Sequence, residues 1–244
     1  MTQTVLVTGA AAGLGKVIAA SLLEQGFQVV LTDVDAARAQ QAADELDNGS
    51  VLALGLDIRQ PQDFDRALKA AVARFGSLDV LVNNAALTLA TPVMEIGVDE
   101  FDRVLSTNLR GTFVGCQTMG RYFASRGYGR IINLASLAGQ NGGTASGAHY
   151  AASKGGILTL TKVFARELAK SGVTVNAIAP GPMDLPMVHA LVPEEKMAGL
   201  LAMIPVGKLG EAEFIAQAVA LLASPQASFV TGATWDINGG LFMR

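Results

Sequence analysis

The sequence predicts a single-domain α/β protein, a doubly wound parallel sheet with helices on both faces. Three observations carry that expectation. Short apolar runs of strand type recur along the 244 residues, and each is followed by a segment whose apolar side chains fall at helical spacing. No Pro/Gly/Ser-rich linker or low-complexity stretch divides the chain, so residues 1–244 read as one domain. The strands are continuous apolar runs, the pattern of a parallel sheet buried on both faces and joined by helical crossovers.

The elements follow in order. Thr4-Val5-Leu6-Val7 is a strand leading into a helix from Gly13 to Gln25, in which Leu14, Val17, Ile18 and Leu22 share one face and Gly26 closes the end. Gln28 to Thr32 leads to an Ala-rich helix ending near Leu46, and Val51 to Leu56 to a helix opening at Pro61. Asp79 to Val82 leads through a loop to a long helical stretch, Asp99 to Arg126. Arg130 to Leu134 is a strand, His149 to Ser171 a helix, Val173 to Ala179 a strand, Glu211 to Ala223 a helix and Ala233 to Ile237 a last short strand. The segment Met183 to Pro205 breaks the alternation, helical in pattern yet carrying Pro186, Pro193 and Pro205, and reads as a small inserted substrate lid over about 183–205.

Composition excludes several function classes. Half of the residues are hydrophobic and the mean hydropathy is +0.38, yet no apolar run approaches the ~18–20 residues of a membrane-spanning helix. Charged residues make up only 16%, which points to a surface partly covered by other subunits, hence a homo-oligomer. Eighteen Lys+Arg against 21 Asp+Glu leave a net charge of -3 with no basic cluster for a nucleic-acid backbone. Cys116 is the only cysteine and lies far in sequence from His149 and His189, so neither an internal disulfide nor a Cys/His metal site is expected. Met1-Thr2-Gln3-Thr4 runs into the first strand with no basic leader, which places the chain in a reducing, cytoplasmic setting.

After the first strand comes Thr8-Gly9-Ala10-Ala11-Ala12-Gly13-Leu14-Gly15, with a helix starting inside it. Glycines suit a tight turn whose backbone closely approaches a pyrophosphate, whose charge then rests on the helix N-terminus. The second strand ends in Asp33, 18 residues after Gly15. A carboxylate there either caps a turn or binds ribose hydroxyls, and beside the glycine loop the pair favours a nucleotide. Tyr150 and Lys154 stand four apart at the start of a helix, on one face. A phenol with an ordinary pKa of about 10 is a poor acid or base at neutral pH, and an adjacent ammonium that lowered it by about 3 units would supply ~4 kcal/mol. Ser136 follows one strand and Asn83-Asn84-Ala85 another, at the carboxyl edge where open α/β sheets bind ligands.

Taken together, Thr8 to Gly15, Asn83-Asn84-Ala85-Ala86, Asn108, Ser136, Tyr150-Ala151-Ala152-Ser153-Lys154 and Pro180-Gly181 resemble the short-chain dehydrogenase/reductase family over essentially the whole chain. The resemblance implies a Rossmann-type fold and an NAD-dependent oxidoreductase with no metal. Tyr150 would exchange a proton with the substrate oxygen and Ser136 would orient that oxygen. Lys154 would hold the nicotinamide ribose and lower the Tyr150 pKa, and Asn108 would anchor a water in a proton relay. Cofactor contacts are expected at Gly9, Gly13, Leu14, Gly15, Asp33, Asp57, Ile58, Asn84, Ala85, Tyr150, Lys154, Pro180 and Gly181. After Pro180-Gly181 many relatives carry a Thr for the nicotinamide carboxamide, but here Leu185 holds that place, leaving backbone groups or Asp184 to substitute. The loop Leu137 to His149 is longer than in many relatives, and its glycines suggest pliability.

The leading expectation is hydride transfer between NAD(H) and a largely apolar alcohol or ketone, since the lid carries Met197, Leu200, Leu201 and Met203. A second is an NADP(H)-dependent 3-oxoacyl reductase, and a third a non-catalytic dinucleotide-binding protein. A homotetramer is implied by the resemblance and by apolar residues to spare, such as Phe101, Phe113 and Phe123 on one helix and Ile157, Val163 and Phe164 on another. Nucleic acid and membrane are not expected as partners.

Overall fold

The computed structural model describes residues 2–46, 49–143 and 146–244, with the side chains of 187, 190 and 191 left aside; positions 144 and 145 of the 137–149 loop thus lie outside the described residues. Seven strands form one parallel sheet: β1 (Thr4–Thr8), β2 (Gln28–Asp33), β3 (Val51–Gly55), β4 (Val80–Asn83), β5 (Gly129–Leu134), β6 (Val173–Pro180) and β7 (Thr234–Ile237). Their order is β3-β2-β1-β4-β5-β6-β7. The chain therefore winds outward from β1 in one direction, then restarts at β4 in the other. The carboxyl ends of β1 and β4 flank the crevice where such a sheet takes its ligand.

Ten α-helices accompany them among the described residues: α1 (Gly13–Glu24), α2 (Ala36–Leu46), α3 (Pro61–Phe75), α4 (Val98–Leu105), α5 (Gly111–Arg126), α6 (Ala138–Asn141), α7 (Ala148–Leu168), α8 (Pro186–Leu191), α9 (Glu194–Met203) and α10 (Ala212–Ala223). Strand side chains point alternately to two cores. Val5 and Val7 pack with Ile18 and Leu22 of α1, Ala39 of α2 and Ile215 and Val219 of α10; Leu6 points the other way, into a core with Phe64 of α3, Met119 and Phe123 of α5 and Leu168 of α7. All of these are buried, which is why the strands read as unbroken apolar runs.

The stretch read as one helix from Asp99 to Arg126 is helical throughout, but a π-turn at Ser106–Arg110 joins α4 to α5. The extra residue re-phases the helix face, and it does so around Asn108. The segment 183–205 holds α8 and α9, with Pro186 and Pro193 at helix starts, where a missing N–H is harmless. The loop after Ser136 is not simply pliable, because α6 forms inside it. Gly139 is required there by close approach: a Cβ would lie 2.5 Å from the Lys154 carbonyl carbon of α7.

Beneath the crevice a buried polar network ties sheet to helices. Asn133 Nδ2 donates to Thr161 Oγ1 of α7 at 2.9 Å, and its Oδ1 accepts from Asn83 Nδ2 of β4 at 2.8 Å, with the Cys116 thiol of α5 at 3.5 Å. Asn133→Ala is expected to strand the Asn83 amide in the core, and the unmet desolvation should destabilise the fold by ~2–4 kcal/mol. Urea unfolding followed by circular dichroism checks this; a change below about 1 kcal/mol would count against the network.

Candidate active site

The crevice is built from loops at the carboxyl edge of the sheet. Gly9 and Gly13 take positive φ (63° and 54°), and a Cβ on Gly15 would stand 2.3 Å from the Gly9 carbonyl oxygen, so the loop closes only with glycine there. Helix α1 begins at Gly13 behind Ala12, with no side-chain cap and no acidic residue in its first turn. Its orphan N–H groups and positive dipole end suit a phosphate. Asn84 holds this loop in shape: its Nδ2 donates to the Thr8 and Gly9 carbonyls at 2.9 and 3.1 Å. Its backbone N–H and that of Ala85 both donate to the Thr8 hydroxyl, which donates in turn to the Val82 carbonyl. Asp33 closes β2 beside the loop, because the Ala10 N–H reaches the Thr32 carbonyl at 2.8 Å. The uncapped helix end, the glycine turn and the carboxylate together fit a dinucleotide.

Asp57 and Ile58 lie after β3 on the same side. The Asp57 carboxylate is locked to Arg59, which holds it below the usual carboxylate range, and Ile58 is buried under Gly111 of α5. Ile58 is thus chiefly a packing residue. The Pro180 carbonyl accepts from the Leu137 N–H and the Gly181 N–H donates to the Ile237 carbonyl, both at 2.9 Å. These two residues splice the Ser136 loop and β7 onto the end of β6.

Helix α7 brings Tyr150 and Lys154 to the crevice. The Tyr150 hydroxyl is hydrogen-bonded to the Ser136 and Thr88 hydroxyls. Lys154 Nζ lies 5.6 Å from the Tyr150 ring centroid and donates to the Leu134 carbonyl at 2.6 Å. Burial lowers the Lys154 pKa to about 8. Three hydroxyls and one ammonium, brought together by α7 and by the segments after β4 and β5, converge where a substrate oxygen can be met by a proton donor.

A family model described as enoyl-(acyl carrier protein) reductase matches residues 9–242. The 3-oxoacyl-[acyl-carrier-protein] reductase FabG of Vibrio cholerae is 42% identical over 242 residues, 99% of this chain and 98% of its own. The FabG proteins of Escherichia coli and Staphylococcus aureus are each 39% identical, across 98% and 100% of this chain and 96% and 99% of theirs. The chain belongs to the short-chain dehydrogenase/reductase family.

Within this family member some sequence expectations need correction. Lys154 was expected to lower the Tyr150 pKa, but burial pushes the phenol up, with the Ser136 and Thr88 hydrogen bonds only partly opposing it. Taking a phenolate out of water outweighs the return from an ammonium on the ring face. Asn108 clamps the segment after β4 to α7: its Oδ1 accepts from the Leu87 N–H (2.7 Å) and its Nδ2 donates to the Leu87 carbonyl (2.9 Å) and Ser153 Oγ (3.1 Å). With both side-chain N–H groups spent, a relay water would be held at its acceptor oxygens. Leu185 offers no polar side chain, and its N–H is taken by the Met183 carbonyl, while the Asp184 carboxylate pairs with His189 at 2.7 Å. Cys116 is a buried thiol pushed up to about 12, as a core residue should be.

Thr88 is the site residue that sequence reasoning missed, since it sits in an aperiodic loop with no motif of its own. The oxidoreductase's buried ammonium has a thermodynamic signature. With a folded pKa near 8 and an unfolded value near 10.4, Lys154 opposes folding fully below pH 8, and the penalty fades as pH rises to about 10. Lys154→Met should therefore abolish turnover while raising stability at pH 7 by ~1–2 kcal/mol, the ~3 kcal/mol penalty less a lost hydrogen bond. Urea melts at pH 7 and pH 10 test it: the gain should shrink at the higher pH, and a variant less stable than wild type at pH 7 would contradict the assignment.

Proposed function

We propose that the enzyme interconverts a 3-oxoacyl group and the matching 3-hydroxyacyl group, carried as a thioester, with NAD(H) as cofactor and in the cytoplasm. The reading is carried by the half-buried Tyr150, its hydroxyl bonded to Ser136 and Thr88 one helical turn from Lys154, in a chain whose full-length relatives are named 3-oxoacyl reductases. That likeness favours this substrate class over the broader set of apolar alcohols and ketones. The non-catalytic reading is not retained, because every member of the expected catalytic set is present.

When bound, the nicotinamide exchanges a hydride with the carbon bearing the substrate oxygen. Tyr150 gives its proton to that oxygen in reduction and recovers it in oxidation. Ser136 orients the oxygen. Lys154 supplies the positive charge that favours the phenolate once the proton has left. Preference for NAD rests on Asp33, whose carboxylate accepts from ribose hydroxyls and repels a 2′-phosphate, while Ala10, Ala11 and Ala12 bring no cation. Among the described residues no helix is long and apolar enough to cross a membrane.

The test is steady-state kinetics with NADH and NADPH on an acetoacetyl thioester and on a plain ketone. NADH should win by at least about tenfold in kcat/KM, Asp33→Ala should narrow the gap, and the thioester should outrun the ketone. Equal or better turnover with NADPH, or a preference for the ketone, would overturn the respective half of the reading.

A homotetramer is part of the same proposal. Phe101 of α4, Phe113 of α5 and Val163 of α7 are solvent-exposed, and Phe113 lines an open groove of about 760 Å³ together with Leu105, Leu109 and Leu160. The helices spend two of the expected contact residues otherwise, for Phe123 and Ile157 are buried in the cores. Light scattering at micromolar concentration should give four times the 25.2 kDa chain mass, and a monomer would refute the assembly.

A further inference from the structure

His149, beside Tyr150, is fully buried and so does not meet solvent or substrate as an exposed group. Its ring is held at both nitrogens. Nδ1 accepts from the Tyr150 backbone N–H at 2.9 Å, and Nε2 stands 2.9 Å from Glu100 Oε1 of α4. An acceptor at Nδ1 leaves the proton on Nε2, so the neutral ring donates to the carboxylate. Glu100 is itself bonded to the Thr91 side chain, and that bond, with the His149 bond, keeps its carboxyl below the usual range.

The arrangement answers a problem created by the helix start. Tyr150 is the third residue of α7, and its N–H is among the orphan donors that a Ser, Thr or Asp cap ordinarily takes. The N-cap here is Gly147, which has no side chain to offer. A larger residue cannot stand there, because a Cβ on Gly147 would lie 2.3 Å from His149 Cε1. Gly147 instead donates its own N–H to the Leu89 carbonyl at 2.8 Å. The imidazole has taken over the capping role, in the space that a cap side chain would fill, and Glu100 orients it.

We infer that His149, oriented by Glu100, is a positioning residue that fixes the Tyr150 hydroxyl against its Ser136 and Thr88 partners. The inference rests on Tyr150 being the acid/base group. A phenol oxygen lies about 6.5 Å from its Cα, so a tilt of roughly 10° at the helix start moves it by about 1 Å, a displacement of the kind that costs up to ~100-fold in rate. The same clamp gathers the segment 87–91, since Thr88 touches the phenol, Leu89 holds Gly147 and Thr91 holds Glu100. Among the groups assigned to the cofactor the clamp touches only Tyr150, and there only the backbone N–H, so its loss should fall chiefly on kcat.

Asn and Gln separate the two bonds. His149→Asn places an oxygen near the Nδ1 position and keeps the cap, whereas His149→Gln places an N–H near Nε2 and keeps only the Glu100 contact. We expect His149→Gln and His149→Ala to lose about 10- to 100-fold in kcat with NADH affinity within twofold of wild type, and His149→Asn to recover most of the loss. Wild-type kcat in folded His149→Gln and His149→Ala, or an Asn variant as slow as the Ala variant, would overturn the inference. Should the buried substitutions fail to fold, Glu100→Ala removes the orienting carboxylate from a partly exposed side chain, with Glu100→Gln as its rescue; kcat unchanged in Glu100→Ala would equally overturn it. Tyr150→Phe is run alongside. If that variant keeps turnover, the acid/base reading itself has failed; if it is dead while the His149 and Glu100 series is unaffected, only the positioning role has.

Discussion

A single hydroxyl stands at the point where the sheet changes direction. Thr8 ends β1, and its Oγ1 donates to Val82 of β4 while accepting the N–H groups of Asn84 and Ala85. A parallel sheet leaves the carboxyl ends of its strands with no further ladder partners, and at the β1/β4 crevice the two following loops diverge. Joining them there fixes the glycine loop on one side and the segment leading to Thr88 on the other. The glycine turn and the corner that holds Thr88 are therefore built on one bond set. A change at Thr8 reaches both loops, with the Asn84 amide and the Ala10–Thr32 bond left to brace the glycine turn.

Much of this was legible in the residues. Alternating apolar runs and helical periods gave the layers, since burial on both faces removes polar positions from the strands, and the glycine loop with Asp33 announced a nucleotide. Long-range side-chain pairing left no such trace. Glu100 and His149 are 49 positions apart and meet only because α4 packs on α7. The π-turn at Ser106–Arg110 has no composition that distinguishes it from continuous helix, yet it decides where the Asn108 amide points. The glycines after Ser136 looked like slack, and Gly139 proved to be clearance for a helix crossing.

Electrostatics shows why sequence distance is a poor guide to a pKa. Four residues of separation place an ammonium and a phenol on one helix face, which suggests mutual stabilisation as ions. Desolvation reverses the result, for Lys154 is buried and Tyr150 half-buried, and each is pushed towards its neutral form. The phenol rests protonated, and the buried lysine is held by the Leu134 carbonyl rather than by an anion. The same burial that costs stability keeps the charge strong, because little water is near to screen it.

Cys116 carries a practical corollary. The sole thiol of the chain is sealed between Asn83 and Asn133, fully buried, with its pKa raised to about 12. Thiolate, the species that reacts with maleimides and nitroxide reagents, is scarce there at neutral pH and out of reach. The wild-type chain is thus already a silent background for labelling. A pair of cysteines introduced on α9 and across the crevice would alone take up fluorophores or spin labels, so distances between them become measurable without first stripping the protein of native thiols.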